Sequence, residues 1–324
     1  MMTNKVLKEK IKSHKQWLDN DGGVRLDLSS VKLLNADLRN CDLRYADLTY
    51  ASLVSANLSN CDLRNADLSN ADLSKAKLNK AKLNKANLSN AILSSADLSS
   101  ASLRKADLSN CDLSYSDLTY ASLVSAILRN AKMSYVILRN CDLRKADLSY
   151  VNLRISDLRN ADLSNASVIS ANLSSVNLRL ADLRNCDLSN SNLSNADLRN
   201  ADLRYSDLTY ASLSNAQLDE RELCRLGEYL HEPLQGWKKC KDGVIVELEI
   251  PAGAIVFSIN NSKCRTNKAK VIGIEGASKG ISYHQDMSYY VGDVLDIIDF
   301  NVQYNIECET GIHFFKKKDD AIRY

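Results

Sequence analysis

Between Gly23 and Gly227 the chain contains no glycine and no proline. Domains normally turn their backbone with those two residues, so this stretch must change direction by other chemistry. Aromatic residues are scarce, 6% of 324, and any large core must therefore be aliphatic. Neither sign of charge dominates, with 42 basic and 40 acidic residues and a net charge of +2. That balance argues against a strong whole-molecule attraction to nucleic acid or to an anionic membrane. The first residues, MMTNKVLKEKIKSHK, hold no apolar run of signal-peptide length, and no later run is long enough to span a bilayer. The expectation is a cytoplasmic protein whose nine cysteines are reduced thiols. No P-loop, GxGxxG, HExxH or nucleophile elbow is written anywhere in the chain.

What the chain does contain is a beat of five. From Leu26 to Glu220 the register never slips, and leucine stands at every fifth residue from Leu28 to Leu218, except at Met133 and Val168. Two residues before each centre stands a small residue, mostly Ala, with Cys at 41, 61, 111, 141 and 186. Short repeats of fixed period signal a solenoid, in which each unit buries its apolar face only by stacking on neighbours. A period of five matches neither a helix nor a flat strand. It matches a coil with corners, the small residue and the leucine pointing inward and the other three outward. Ala alternates with Leu because a narrow interior admits one large side chain per side. The period alone does not distinguish four sides from three.

Phrases such as ADLRN, ANLSN and ADLSN resemble the pentapeptide repeat family over residues 26–220. The resemblance implies an all-β architecture, a right-handed quadrilateral β-helix of about twenty residues per coil. About ten coils at strand spacing would make a rod roughly 45–50 Å long. It does not imply one function, because the best-characterised members are DNA mimics that bind type II topoisomerases and others have no assigned role. Both ends of such a rod need caps against edge pairing. Residues 1–25 are expected to form a capping helix and turn, with Leu7, Ile11 and Leu18 on one stripe and Trp17 beside it. Residues 221–235 are read as a second cap and linker. Its helix, LDERELCRLGEYLH at 218–231, turns Leu223, Leu226 and Leu230 inward and is N-capped by Asp219, with Glu222 completing a capping box.

From residue 236 the beat stops and β-branched runs appear: VIVELEI at 244–250, AIVFSI at 254–259, AKVIGI at 269–274 and IHFF at 312–315. Residues 236–324 therefore read as a small β-rich domain, with DDAIRY as a last helical turn. Its phrases GWKKCKDG, SKCRTNKAKV and ECETGIHFF resemble a domain of unknown function that follows pentapeptide repeats in bacterial and phage chains.

Residues twenty apart stack on a four-sided coil. One side then carries an acidic stripe, Asp27, Asp47, Asp67, Asp107, Asp147, Asp187 and Asp207, and another carries Arg44, Arg64, Arg104, Arg144, Arg184 and Arg204. A DNA mimic needs dense, uncompensated acid, whereas residues 26–220 hold 22 acidic and 22 basic side chains. Residues 73–96 hold no acid, and Lys75, Lys77, Lys80, Lys82 and Lys85 make a basic patch there, with Arg104 and Lys105 beside it. Such a patch offers a place for phosphate or an acidic partner, or serves as a solvated lysine belt. The phrase DLTYASL occurs at 47–53, 117–123 and 207–213. It builds no shared pocket, since Tyr50 and Tyr210 fall on one side about 40 Å apart by strand spacing and Tyr120 falls opposite.

In the C-terminal domain, Cys240, Cys264, Cys308 and His313 carry zinc-binding chemistry but no CxxC pair. Buried structural thiols are the plainer reading, and Cys308 with His313 is the one place for a nucleophilic enzyme site. The aromatic residues Trp237, Tyr283, Tyr289, Tyr290, Tyr304, Phe314 and Phe315 gather in this domain. Part must form its core, and Trp237, Tyr289 and Tyr290 are candidate anchors for a partner. The reading is a non-catalytic solenoid scaffold without a cofactor, binding an unidentified protein through its C-terminal domain, with the rod as spacer. No direct nucleic-acid or membrane binding is expected. The alternative is a DNA mimic that binds a type II topoisomerase or another DNA-binding protein, and an enzyme using Cys308 and His313 is a third.

Overall fold

The computed structural model describes residues 4–218, 228–229, 232–252, 254–258, 263–282, 287–296 and 312–323. The chain divides into two compact units, Met1–Ala211 and Ser212–Tyr324.

The first unit is a β-helix. Each pentapeptide contributes one bridge residue, the one before the central leucine, and it pairs in parallel with the residue twenty further on, as in Asp27↔Asp47 and Asp47↔Asp67. Four pentapeptides therefore make one coil. The backbone explains the spacing: the Leu28 amide donates to the Asp47 carbonyl at 2.8 Å, and the Asp47 amide donates back to the Leu26 carbonyl at 3.0 Å. The same exchange repeats up the stack, so the main-chain groups of each side bond between coils.

Corners are made without glycine. The Val31 amide bonds the Leu28 carbonyl at 3.1 Å, closing a tight turn whose third residue, Ser30, has φ of 57°. Every fifth residue from there to Asn215 repeats this left-handed backbone. Asn is the commonest occupant, since its short polar side chain tolerates that region best among non-glycine residues. The interior is filled as the pattern requires. The central side chains from Leu28 to Leu213 are buried, as are the small residues before them except the half-buried Val31, Ala36, Cys41 and Ser206, with Cys61, Cys111, Cys141 and Cys186 serving as small hydrophobes. Burial pushes their thiols up, to about 12 for Cys141.

Helix α1 (Asn4–Leu18) closes the first coil. Leu7 is buried and Ile11 and Leu18 are half-buried, as the stripe requires. The stripe has a fourth member that hydrophobicity alone does not reveal, the fully buried His14. Its Nε2 donates to the Arg44 carbonyl at 3.0 Å, and its Nδ1 accepts the Leu26 amide at 3.0 Å. One imidazole thus satisfies two main-chain groups at the open end of the ladder. Trp17 stacks on the ring at 5.6 Å, and Lys10 donates to the Asp27 carbonyl. At Gly23, with φ of 78°, a Cβ would lie 2.1 Å from the Ser13 carbonyl oxygen, so the return from helix to coil requires glycine.

The second unit is an antiparallel sheet of short strands: β1 (Glu228–Tyr229), β2 (Leu234–Lys239), β3 (Ile245–Ile250), β4 (Ile255–Ser258), β5 (Lys263–Thr266), β6 (Lys268–Glu275), β7 (Gly280–Ile281), β8 (Ser288–Tyr289), β9 (Val294–Asp296) and β10 (Ile312–Phe315). The main sheet runs β1-β4-β5-β10-β2-β3-β6-β9, and β7 pairs with β8. Val246, Leu248, Ile250, Val256, Cys264, Val271 and Phe314 form its core, and helix α2 (Lys318–Arg323) ends the described chain. Gly236 on β2 makes room for Phe314, whose ring would lie 2.4 Å from any Cβ there.

The expected strands at 244–250, 254–259, 269–274 and 312–315 are present, as is the final helical turn. The helix expected at 218–231 falls mostly outside the described residues, including Asp219, Glu222, Leu223, Cys224, Leu226 and Leu230. At Glu228–Tyr229 it is replaced by β1, which pairs with β4 through Glu228↔Val256.

Two outcomes test this architecture. Leu128 is fully buried, so Leu128→Ala should cost about 2–5 kcal/mol in chemical denaturation. Leu128→Asp, an unpaired charge in an aliphatic interior, should yield no soluble folded chain. The second concerns His14, whose burial lowers its pKa below the ordinary 6.5. The folded state then resists a proton that the unfolded state accepts. The stability it confers is complete above that ordinary value and declines as pH falls below it toward the lowered one. Melting curves from about pH 7 to about pH 5 should show this decline, and His14→Asn, which keeps a donor and an acceptor without titrating, should remove it. Identical pH dependence in both proteins would refute the assignment.

Candidate functional site

The outward side chains of the repeat unit are largely committed to one another. The bridge-position Asp or Asn accepts the amide two residues on, as Asp27 does from Ser29 at 2.9 Å and Asp47 from Thr49 at 3.0 Å. Where the residue after leucine is arginine, its guanidinium also clamps that carboxylate. Arg44–Asp42, Arg64–Asp62, Arg144–Asp142, Arg184–Asp182 and Arg204–Asp202 close at 2.5–2.7 Å. Hydrogen bonding to the partner guanidinium holds the carboxyls of Asp142, Asp182 and Asp197 below the ordinary range, and that of Asp37 at about 2. Such exposed pairs stabilise weakly, but they remove free charge from the surface.

The acidic stripe stacks as the twenty-residue period requires, and it is broken. Bridges run Asp27, Asp47, Asp67, Asn87, Asp107, Ile127, Asp147, Ser167, Asp187, Asp207. Three of these ten positions carry no acid, each carboxylate of the stripe caps its own turn, and Arg129 lies 3.3 Å from Asp147.

The basic patch divides. Lys82 bridges directly onto Asp62 below and Ser102 above, while Lys77 lies between Asn57 and Asp97. These two therefore have carboxylates for neighbours, which the sequence count of residues 73–96 hides. Lys75, Lys80, Lys85 and Lys105 occupy left-handed corners and are exposed. The Lys85 amide donates to the Arg104 carbonyl at 3.0 Å, which places Lys85 under Lys105. None of these lysines, nor Arg104, forms a salt bridge among the described residues.

In the second unit the candidate anchors separate. Tyr289 is only 2% exposed and belongs to the core, with its ring beneath the Lys238 ammonium at 5.7 Å. Trp237 is half-buried against Ile245, Phe315 and Ala321. Tyr289 is thus corrected from surface anchor to core residue, and Trp237 is mainly a packing residue. Tyr290 is 49% exposed beside exposed Val291 and Val294, where β9 forms one edge of the described sheet. Tyr283 and Tyr304 lie outside the described residues.

The zinc candidates do not converge. Register pairs Cys264 with Phe314 and Arg265 with His313. Adjacent strand residues face opposite sides of a sheet, so Cys264 and His313 point apart. Cys240 is buried in the core with Cys264, and Cys308 lies outside the described residues. No group of three metal-ligating side chains occurs among the described residues.

The repeat unit also carries exposed tyrosines, of which only Tyr50, Tyr120 and Tyr210 were weighed from the sequence. Tyr45, Tyr50, Tyr115, Tyr120, Tyr135, Tyr150, Tyr205 and Tyr210 all occupy the left-handed corner, and all are exposed. Tyr115 and Tyr135 stack at 4.9 Å, with Ile155 next in the same corner column. The signal was available, because every tyrosine of the repeats falls two residues after a repeat centre, Met133 for Tyr135 and leucine for the others.

Six segments spanning residues 24–60, 51–90, 91–130, 128–160, 141–179 and 181–219 match the model of pentapeptide repeats (8 copies). Residues 224–321 match a family of unknown function (DUF5758). A search of curated proteins finds no match. Among solved structures, HetL, a pentapeptide repeat protein involved in heterocyst differentiation regulation from the cyanobacterium Nostoc sp. strain PCC 7120, is 31% identical. That match covers 68% of this chain and 98% of HetL, with a TM-score of 0.49. Rfr23 from the cyanobacterium Cyanothece 51142 is 28% identical over 35% of this chain and 64% of its own, with a TM-score of 0.26. QnrB1, a plasmid-mediated fluoroquinolone resistance protein, is 22% identical over 61% and 91%, with a TM-score of 0.34.

Burial pushes the Tyr289 phenol up to about 12. Absorbance titration of the intact chain should therefore show a late phenolate step near that pH, absent from Tyr289→Phe. Loss of a phenolate step near the ordinary value of 10.0 instead would return Tyr289 to the surface.

Proposed function

The chain belongs to the pentapeptide repeat family, and from that premise we propose that it is a non-catalytic scaffold that binds another protein. The repeats are taken as a right-handed, four-sided spacer, and recognition is assigned to the C-terminal unit, in a cytoplasmic setting. The observation that carries this reading is how the repeat unit spends its side chains. Its interior is Leu and Ala, and its carboxylates cap turns or clamp arginines. A surface organised this way supports itself and leaves few groups to activate a substrate. In the C-terminal unit, Tyr290, Val291 and Val294 leave apolar surface beside β9, the edge of the described sheet. An edge strand with exposed apolar residues suits partner binding by strand addition.

A second reading places recognition on the repeats. Tyr115, Tyr135 and Ile155 make an exposed apolar ridge, and tyrosine is among the residues that dominate binding energy. The DNA-mimic reading has less support, because the acidic stripe is interrupted at Asn87, Ile127 and Ser167 and the aspartates on the arginine-bearing side are paired with its arginines.

The test uses the full chain and a partner captured from its host. Tyr290→Ser with Val294→Thr should weaken binding about tenfold or more, as loss of an anchor does, while Tyr115→Asn with Tyr135→Asn should leave it unchanged. The reverse pattern would move recognition to the ridge. Neither protein should inhibit DNA supercoiling by gyrase, and inhibition at low-micromolar protein would favour the mimic.

A further inference from the structure

The repeats depart from their own pattern most sharply around coils 102–125. On the side that begins with the Asp42–Arg44 pair, the bridge column reads Asp42, Asp62, Lys82, Ser102, Ser122, Asp142, Asp162, Asp182, Asp202. Acid is missing from three successive coils. The column after leucine on the same side carries Arg44, Arg64, Asn84, Arg104, Val124, Arg144, Ser164, Arg184 and Arg204. Five of these arginines clamp an aspartate two residues earlier; Arg104 has Ser102 there instead. The next corner column holds Lys85, Lys105, Ser125 and Lys145.

These departures make a recess. Val124 and Ser125 are shorter than the residues on the coils below and above them, and the wall drops between two cation pairs. The result is a recess of about 330 Å³ lined by Arg104, Lys105, Val124, Ser125, Arg144 and Lys145. The two pairs lie two coils apart, roughly 10 Å at strand spacing. Of the four cations, Arg144 is clamped by Asp142 at 2.7 Å, while Arg104, Lys105 and Lys145 form no salt bridge among the described residues. The nearest other carboxylates in register are Asp107 and Asp147 on the adjoining side, the second 3.3 Å from Arg129, and Asp162, 3.6 Å from Arg144.

We propose that this recess binds a small ligand carrying at least two phosphoryl groups, an oligophosphate or a bisphosphorylated ester. Its volume falls in the small-molecule range of about 300–1,000 Å³. Two cation pairs roughly 10 Å apart call for a ligand charged at both ends. A phosphoryl group brings up to about two negative charges and three acceptors, against one charge for a carboxylate. The unclamped Arg104 fork offers paired donors to such oxygens, and Ser125 offers a hydroxyl between the pairs. No aromatic side chain lines the recess, so stacking of a nucleobase is not provided for.

The repeat itself supplies conservative substitutions. Asn is the commonest corner residue and valine already stands at 124, so Lys105→Asn, Lys145→Asn and Arg104→Val keep the coil. Ser102→Asp removes no cation and rebuilds the clamp seen at Asp142–Arg144. Calorimetric titration of the full chain should show saturable binding of inorganic tripolyphosphate and, if the source is an ester, of a hexose bisphosphate. Each of the four variants should weaken it by about tenfold, the scale of one charge-assisted hydrogen bond, with unchanged melting. Lys75→Asn, on a corner outside the recess, should leave it unaltered. Equal affinity for orthophosphate or citrate would overturn the proposal. So would indifference to Ser102→Asp, equal weakening by Lys75→Asn, or no binding at low millimolar ligand.

Discussion

From Leu28 to Leu188 the central residues of the repeat unit send their amides to a carbonyl one coil away, as Leu28 does to Asp47 at 2.8 Å and Leu128 to Asp147 at 2.7 Å. The other features of the unit follow from keeping that exchange in step. It brings coils to strand spacing, which leaves an interior only wide enough for Leu opposite small residues. It also obliges the chain to turn the same corner every fifth residue. A left-handed corner costs a non-glycine residue roughly 1–2 kcal/mol, while burying one leucine contributes about 1.5–3. Burial wins the comparison narrowly in each repeat, and the aspartate that accepts the amide inside the turn adds to the margin. Glycine would ease the corner but would loosen the unfolded chain at every repeat. Its absence from residues 24–226 is thus consistent with the geometry.

The same ladder explains why the ends differ from the middle. A coil with no neighbour exposes donors and acceptors in fixed positions, and a greasy helix alone cannot satisfy them. His14 does, because one ring offers a donor and an acceptor at the separation the backbone requires. The stripe Leu7, Ile11 and Leu18 reveals that a helix lies there, but His14 looks like an ordinary polar residue until its partners are seen.

Legibility varied with how directly a residue type reports its surroundings. Inward Leu and Ala were plain, since a five-residue period has few physical solutions. The stacking of Asp27 on Asp47 followed once four sides were assumed. Tyr50, Tyr120 and Tyr210 were weighed only as a shared pocket, and tyrosines were not placed at the corners, because an aromatic residue at positive φ runs against propensity and only their shared register gives them away. In the C-terminal unit, β3, β4, β6 and β10 announced themselves through β-branched runs. Strand β2, LQGWKK, and strand β5, KCRT, did not, because glycine and lysine mask strands whose neighbours supply the context. Aromatic count misled in the same unit, where Tyr289, Phe314 and Phe315 are what a small sheet packs around. Pairing register also separated Cys264 from His313, a distinction that spacing along the chain cannot make.

Net charge describes a repeat surface poorly. The repeats balance acid and base, yet balance arises in two ways that differ physically. Where Asp and Arg share one pentapeptide, as at Asp182 and Arg184, charge cancels within 2.5 Å and the surface is locally silent. Where a column loses its acid, as at Ser102 and Ser122 between Lys82 and Asp142, cancellation along the column occurs only across several coils, near or beyond the screening length of about 8–10 Å. The first arrangement silences the surface, while the second leaves a local field. In a solenoid the columns, read twenty residues apart, therefore show where charge is left uncompensated, and their interruptions stand out against a background that the fold itself holds uniform.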